Sequence, residues 1–228
     1  MPGIARTTLT FLRDLKKHND REWFNANNDR YKAAHADVIA FADAVLALLR
    51  KHDDIEAASG KRSLFRIHRD NRFHPNRPPY KTWFSGHFKR ATAARRGGYY
   101  FHLEPGGNTH VGGGFYQPDA ADLAHIRAHL AHDPESLRQV LAARSFRETY
   151  GKLLGEQVKT APRGYPRDHP AIDLIRYKSL FAMRSFTDAE ALSPDFPFVF
   201  DQTLRALRPF LDCMSAILTT DLNGESLL

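Results

Sequence analysis

The chain is poor in sulfur. It has one cysteine, Cys213, and three methionines in 228 residues. A lone cysteine excludes an intramolecular disulfide and a thiolate metal cluster. Its helical, largely apolar surroundings suit a small buried hydrophobe. No stretch approaches the ~18 apolar residues a membrane-spanning helix needs, so no membrane partner is expected. The opening MPGIARTTLTFLRDLKK lacks the apolar run of ~7–15 residues found in secretory signals. The expectation is a cytoplasmic protein. Linkers, low-complexity tracts and internal repeats are also missing, which points to a single domain over 1–228. A chain of this size buries enough apolar surface to fold without disulfide staples.

Acid is missing from one place in particular. From Lys61 to Arg96 there are eleven Lys and Arg and a single acid, Asp70, against a net charge of +7 for the whole chain. The remainder is therefore slightly acidic, and the basicity is local. A local excess points to a face that meets an anion rather than to general solubility. The stretch LFRIHRDNRFHPNRPPYKTWF, residues 64–84, interleaves Arg66, Arg69, Arg72, Arg77 and Lys81 with Phe73, Tyr80 and Trp83. Guanidinium groups pair bidentately with phosphate or carboxylate and stack on aromatic faces.

Periodicity sets the elements around this stretch. Leu9, Leu12 and Leu15 predict a helix over 7–17. Asp20 is a candidate N-cap for the next helix, and the polar run 25–29 should break or kink it. Tyr31, Ala34, Val38, Phe41, Val45 and Leu48 continue a helical stripe to about Arg50. The middle changes to period two. Alternation predicts strands at Leu64–Asp70, Tyr99–Glu104 and His110–Tyr116, the last two joined by the turn-rich loop Pro105–Thr109. Between the first two strands lie a Pro-rich loop and a short helix around Trp83–Thr92. Beyond Pro118 helices return, with Asp119 or Asp122 as a cap and Pro134 opening the next helix. A strand near Tyr177–Met183 and a helix from Phe196 to Leu218, kinked or split at Pro209, complete the pattern. The fold class is α+β: a central antiparallel sheet of about four strands, with helices from both chain ends on its apolar face.

Strand phase then collects the chemistry. One sheet face would carry Arg66, His68, Asp70, Tyr100, His102, Glu104, His110 and Tyr116, with Lys178 from the fourth strand. A one-residue slip in register would scatter them. Gly112-Gly113-Gly114 marks a bulge or the close approach of a ligand or a second backbone. It is neither a dinucleotide-binding nor a P-loop pattern, and no Gly-x-Ser-x-Gly is present. His125, His129 and His132 share one helix without the His-Glu-x-x-His arrangement, so neither a metal nor a cofactor is expected.

The motifs Arg69-Asp70-x-Arg72-Phe73, Pro79-Tyr80-Lys81-Thr82, Tyr99-Tyr100 and Gly112-Gly113-Gly114-x-Tyr116-x-Pro118 stand in this order. With Phe11-Leu12-x-x-Leu15-x-x-His18-Asn19-x-x-x-Trp23-Phe24 before them and Ala161-Pro162-Arg163-Gly164-Tyr165 and Asp168-His169-Pro170 after, the chain resembles domain of unknown function 2461, a bacterial and fungal family, over about residues 7–218. The resemblance implies one domain and transfers no activity, cofactor or catalytic residue.

Three readings follow. In the first, Arg66, Arg69, Arg72, Tyr80, Lys81, Tyr100, His102, Gly113, Gly114 and Tyr116 bind an anion: a phosphorylated metabolite, a nucleotide or a nucleic acid. In the second, the same face is catalytic, with His68, Asp70 or Glu104 in acid–base roles. In the third, the arginines only knit the Pro-rich loop to the sheet. The sequence leaves the oligomeric state open.

Overall fold

The structure, a computed structural model, describes residues 3–72 and 76–228. Helix α1 (Arg6–Lys17) buries Leu9, Phe11, Leu12 and Leu15. Asp20 caps α2 (Arg21–Ala26) by accepting from the Trp23 N–H at 2.8 Å. At Asn27 the chain breaks and restarts as α3 (Asn28–Leu49), which buries Val38, Phe41, Val45 and Leu49. Full burial of such side chains contributes roughly 1.5–3 kcal/mol each. The one-turn helix α4 (Gly60–Ser63) lies directly against α3: a Cβ on Gly60 would meet the Asp43 backbone nitrogen at 2.5 Å.

The sheet has four antiparallel strands in the order β1 (Phe84–Lys89), β2 (Gly98–Leu103), β3 (Thr109–Phe115) and β4 (Leu180–Phe186), with helices around it. The α+β expectation holds. Two element assignments change. The helix expected at Trp83–Thr92 is instead strand β1. Phe84, Gly86 and Phe88 alternate with Ser85, His87 and Lys89, a period of two that the alanine-rich stretch just after it obscures. The segment Leu64–Asp70 is not a regular strand. It pairs through isolated bridges, Leu64 with Gly86 and His68 with Tyr80.

After β3 come α5 (Ala120–His132), capped by Asp119, then α6 (Glu135–Ala142), α7 (Arg144–Tyr150) and α8 (Ile172–Ile175). Helix α9 (Asp188–Leu192) opens with a Thr187/Glu190 capping box. Helix α10 (Phe196–Thr219) runs through Pro209 as one helix, so of the expected kink or split the split does not occur. Among the described residues no helix is long and apolar enough to cross a membrane.

Residues group into two compact units, each built from several chain segments. The first comprises 1–89, 100–111 and 185–202. Its core joins the α1 and α3 stripes to Phe84, Phe88, Phe101, Leu103, Phe196 and Phe200. Half-buried His52 holds buried Asp201 at 2.8 Å there. The second comprises 90–99, 112–184 and 203–228, with Phe115, Ile126, Leu130, Phe146, Leu207 and Phe210 in its core.

The glycine run belongs to this second core. A Cβ on Gly112 would lie 1.9 Å from the Ala182 carbonyl oxygen, and one on Gly113 would lie 2.1 Å from that of Gly98. Gly114, at φ +132°, would meet Leu180 and Phe181. Neighbouring backbone fills the space on every side, so backbone approach accounts for the run.

Candidate anion-binding site

The site lies wholly within the first unit and starts from an irregular ribbon. The backbone N–H of Phe65 donates to Ser85 O at 2.9 Å, that of Lys81 to Ile67 O at 2.8 Å, and that of Arg69 to Pro79 O at 2.9 Å. Ile67 is buried and pins the ribbon, while Arg66 and His68 on either side are exposed. Asn19, just before α2, clamps the far strand. Its carboxamide donates to Tyr80 O at 3.0 Å and accepts from Tyr80 N at 3.1 Å. The Tyr80 ring stacks on Phe24 at 3.9 Å, 10° from parallel. Tyr80 is therefore a buried support and not an open stacking surface.

Arg69 donates from Nε to the same Tyr80 carbonyl at 3.0 Å, and its guanidinium sits 5.0 Å above the Trp83 ring. That fixes the plane of the guanidinium and leaves its Nη groups free of partners among the described residues. Arg72 and Asp70 form a bidentate pair, with Nε and Nη2 donating at 2.9 and 2.6 Å. The Arg72 side chain and backbone N–H hold the Asp70 carboxyl below the usual carboxylate range. The one acid of the basic segment is thus already engaged.

A cleft of about 700 Å³ opens here, lined by Arg21, His68, Arg69, Arg72, Arg77 and Tyr80 among others. Arg21 and Arg77 are exposed and form no ion pair among the described residues. Arg77 was counted among the cations of the basic stretch but not among the expected site residues, and Arg21 did not stand out at all. Arg21 is brought in from α2 by the Asn19–Tyr80 clamp, a contact across 61 positions with no local signature.

Lys81 and Arg66 lie beside the cleft. The Lys81 ammonium donates to Arg66 O at 2.8 Å and rests 5.9 Å above the Phe65 ring. Burial, then the positive charges of Arg69 and Arg66, pull its pKa below the ordinary lysine value. Like charges crowd here, and the one acid of the segment, Asp70, is already paired with Arg72.

A second constellation occupies β2 and the start of β3. His102 is buried, with Nε2–H donating to Glu104 at 2.8 Å and Nδ1 facing the Tyr100 hydroxyl at 3.4 Å. Ser85 in turn hydrogen-bonds Tyr100. His110 stacks on His102 at 4.4 Å and Trp83 stacks on it at 5.1 Å. Burial lowers the His102 pKa against the opposing pull of Glu104, and burial raises that of Tyr100. Glu104 also contacts Thr82 and lies 3.6 Å from Lys16. Trp83, touching both Arg69 and His102, links the two constellations.

The remaining expected residues lie apart from these groups. Tyr116 is 71% exposed and packs edge-on against Phe181 in the second unit, where Gly113 and Gly114 also belong. Lys178 pairs with Glu156 at 2.5 Å. His125 donates to the carbonyls of Ile217 and Thr220, and His129 to that of Thr220, so both close the end of α10. Phe73, counted among the aromatics of the basic stretch, lies outside the described residues.

The α+β fold and the ordered motifs define a chain of one recognisable family. It belongs to the conserved hypothetical proteins of domain of unknown function 2461, whose pattern matches residues 7–212. No curated protein and no solved structure matches it.

Proposed function

We propose that this protein binds an anionic, phosphate-type group in the cleft beneath Arg69, in the cytoplasm. The observation that carries the reading is the state of the cations. Arg21, Arg69 and Arg77 line one cleft, and the only acid of the basic segment there is consumed by Arg72. A purely structural arginine network would instead spend its guanidiniums on internal acceptors. Arg69 spends only its Nε that way.

A thermal-shift titration with inorganic pyrophosphate tests it. A ligand at a hundred times its Kd stabilises by about 2.7 kcal/mol. At roughly 2–4 °C per kcal/mol for a chain of this size, that raises Tm by about 5–10 °C. Arg69→Ala should melt lower without ligand and gain nothing from pyrophosphate. Equal increments in the variant and the parent would refute the reading.

A second reading, acid–base chemistry on the sheet, is favoured by the Ser85–Tyr100–His102–Glu104 chain of hydrogen bonds. It requires a substrate at Tyr100 or His102. A pyrophosphate-induced shift in the His102 ring resonances would support it; resonances unmoved at saturating pyrophosphate would refute it.

A further inference from the structure

Phe65 is out of place. Strand alternation puts it on the apolar side with Ile67, yet it is 48% exposed. Because 64–70 bridges at only two points, the alternation does not carry through to bury it. It stands at a junction. On one side are Lys81 and Arg66, coupled electrostatically to Arg69 and so to the first cleft. On the other side Phe65 itself lines a second groove of about 470 Å³, with Arg62, His87 and Lys89 in its walls. Glu56 is there too, 2.6 Å from Lys89.

A small phosphorylated molecule would fill one cleft and leave the second groove, Arg62 and the Phe65 face without a role. A track of cations running through two grooves, with an exposed ring between them, suits a polymer of phosphates and flat rings. Phosphodiester oxygens would lie along Arg77, Arg21, Arg69, Lys81 and Arg62, and a base would stack on Phe65. Phosphate contacts and ring stacking carry no sequence information by themselves, so no sequence preference is expected. We infer that the site binds single-stranded nucleic acid without sequence preference, using Phe65 as its stacking platform. This rests on the anion-binding reading above.

The test is fluorescence anisotropy with a labelled oligothymidylate of about 20 nucleotides at ~50 mM salt, repeated at rising salt. The parent should bind, with affinity falling as salt rises. Stacking on one aromatic is worth about 5- to 150-fold in affinity. Phe65→Ala should lose that much with an unchanged salt slope, because no charge is removed. Lys81→Ala should instead flatten the log–log slope by about 0.7, the value for one phosphate contact on a single strand. Four results would overturn the inference: no binding, equal binding of a duplex of the same length, equal competition by polyglutamate, or Phe65→Ala within twofold of the parent. If pyrophosphate still raises Tm in those cases, the coarser anion site survives; if it does not, both readings fall.

Discussion

Asn19 is the residue on which the geometry of the site turns. Its side chain makes two hydrogen bonds to the backbone of Tyr80, at 3.0 and 3.1 Å, and Tyr80 is only 5% exposed. In Asn19→Ala the Tyr80 N–H loses its partner inside the protein. The carbonyl keeps Arg69 Nε. Leaving a buried backbone donor unsatisfied costs about 1–3 kcal/mol, and the second hydrogen bond adds about 0.5–1.5 kcal/mol. The sum is roughly 2–4 kcal/mol, or a fall in Tm of about 4–16 °C. Asn19→Asp separates the two contacts. A carboxylate still accepts from the Tyr80 N–H but cannot donate to its carbonyl, so the loss should be about 1 kcal/mol. Urea unfolding of the three proteins gives the ordering directly. If Asn19→Ala unfolds within about 0.5 kcal/mol of the parent, the range of an inconsequential surface change, the clamp does not hold the ribbon and the argument for Arg69's position fails.

Three further expectations concern the scaffold. Gly113→Ala should lose more than Gly107→Ala: the first drives a Cβ against the Gly98 carbonyl, whereas the second, at φ +75° with open space around it, carries only the left-handed penalty of about 1–2 kcal/mol. Equal losses in chemical denaturation would remove the backbone-approach account of the run. The depressed pKa of His102 means that the unfolded chain takes up the proton first, so stability should decline as pH falls below about 6.5. His35, His87 and His129 are shifted the same way, so His102→Gln should shallow the dependence without abolishing it; an unchanged profile would count against a buried, neutral imidazole. Burial pushes the Cys213 thiol up to about 11, so alkylation by iodoacetamide at neutral pH should be far slower than for free cysteine.

Much of the fold was readable because burial follows period. The α1 and α3 stripes, the Asp20 and Asp119 caps and the phase of β2 all behave as the pattern requires. Failure came where period two is short. Phe84-x-Gly86-x-Phe88 offers only three alternating positions before charge and alanine take over, and Leu64–Asp70 alternates without forming a ladder. That second failure hid Phe65. The polar face was anticipated as one patch, but its members separate: residues 66–72 and 77–81 form the ribbon and cleft, Tyr100, His102 and His110 form a stacked cluster on β2 and β3, and Tyr116 belongs to the second unit. Trp83 bridges the first two; its nearness to the arginines was legible in the basic stretch, but its stacking on His102 was not, because it was expected in a helix. Arg21 and Asn19 join from the N-terminal end of α2, which spacing along the ribbon cannot reveal.

The central claim is that the cations of this ribbon face an outside anion and not each other's internal partners. Arg21 and Arg77 decide it, because both are exposed, line the cleft and make no ion pair among the described residues. In Arg21→Ala/Arg77→Ala, calorimetry with inorganic pyrophosphate should show at least a tenfold loss of affinity, about 1.4 kcal/mol, with Tm unchanged in the absence of ligand. Parental affinity combined with a lowered Tm would show instead that these arginines serve the fold.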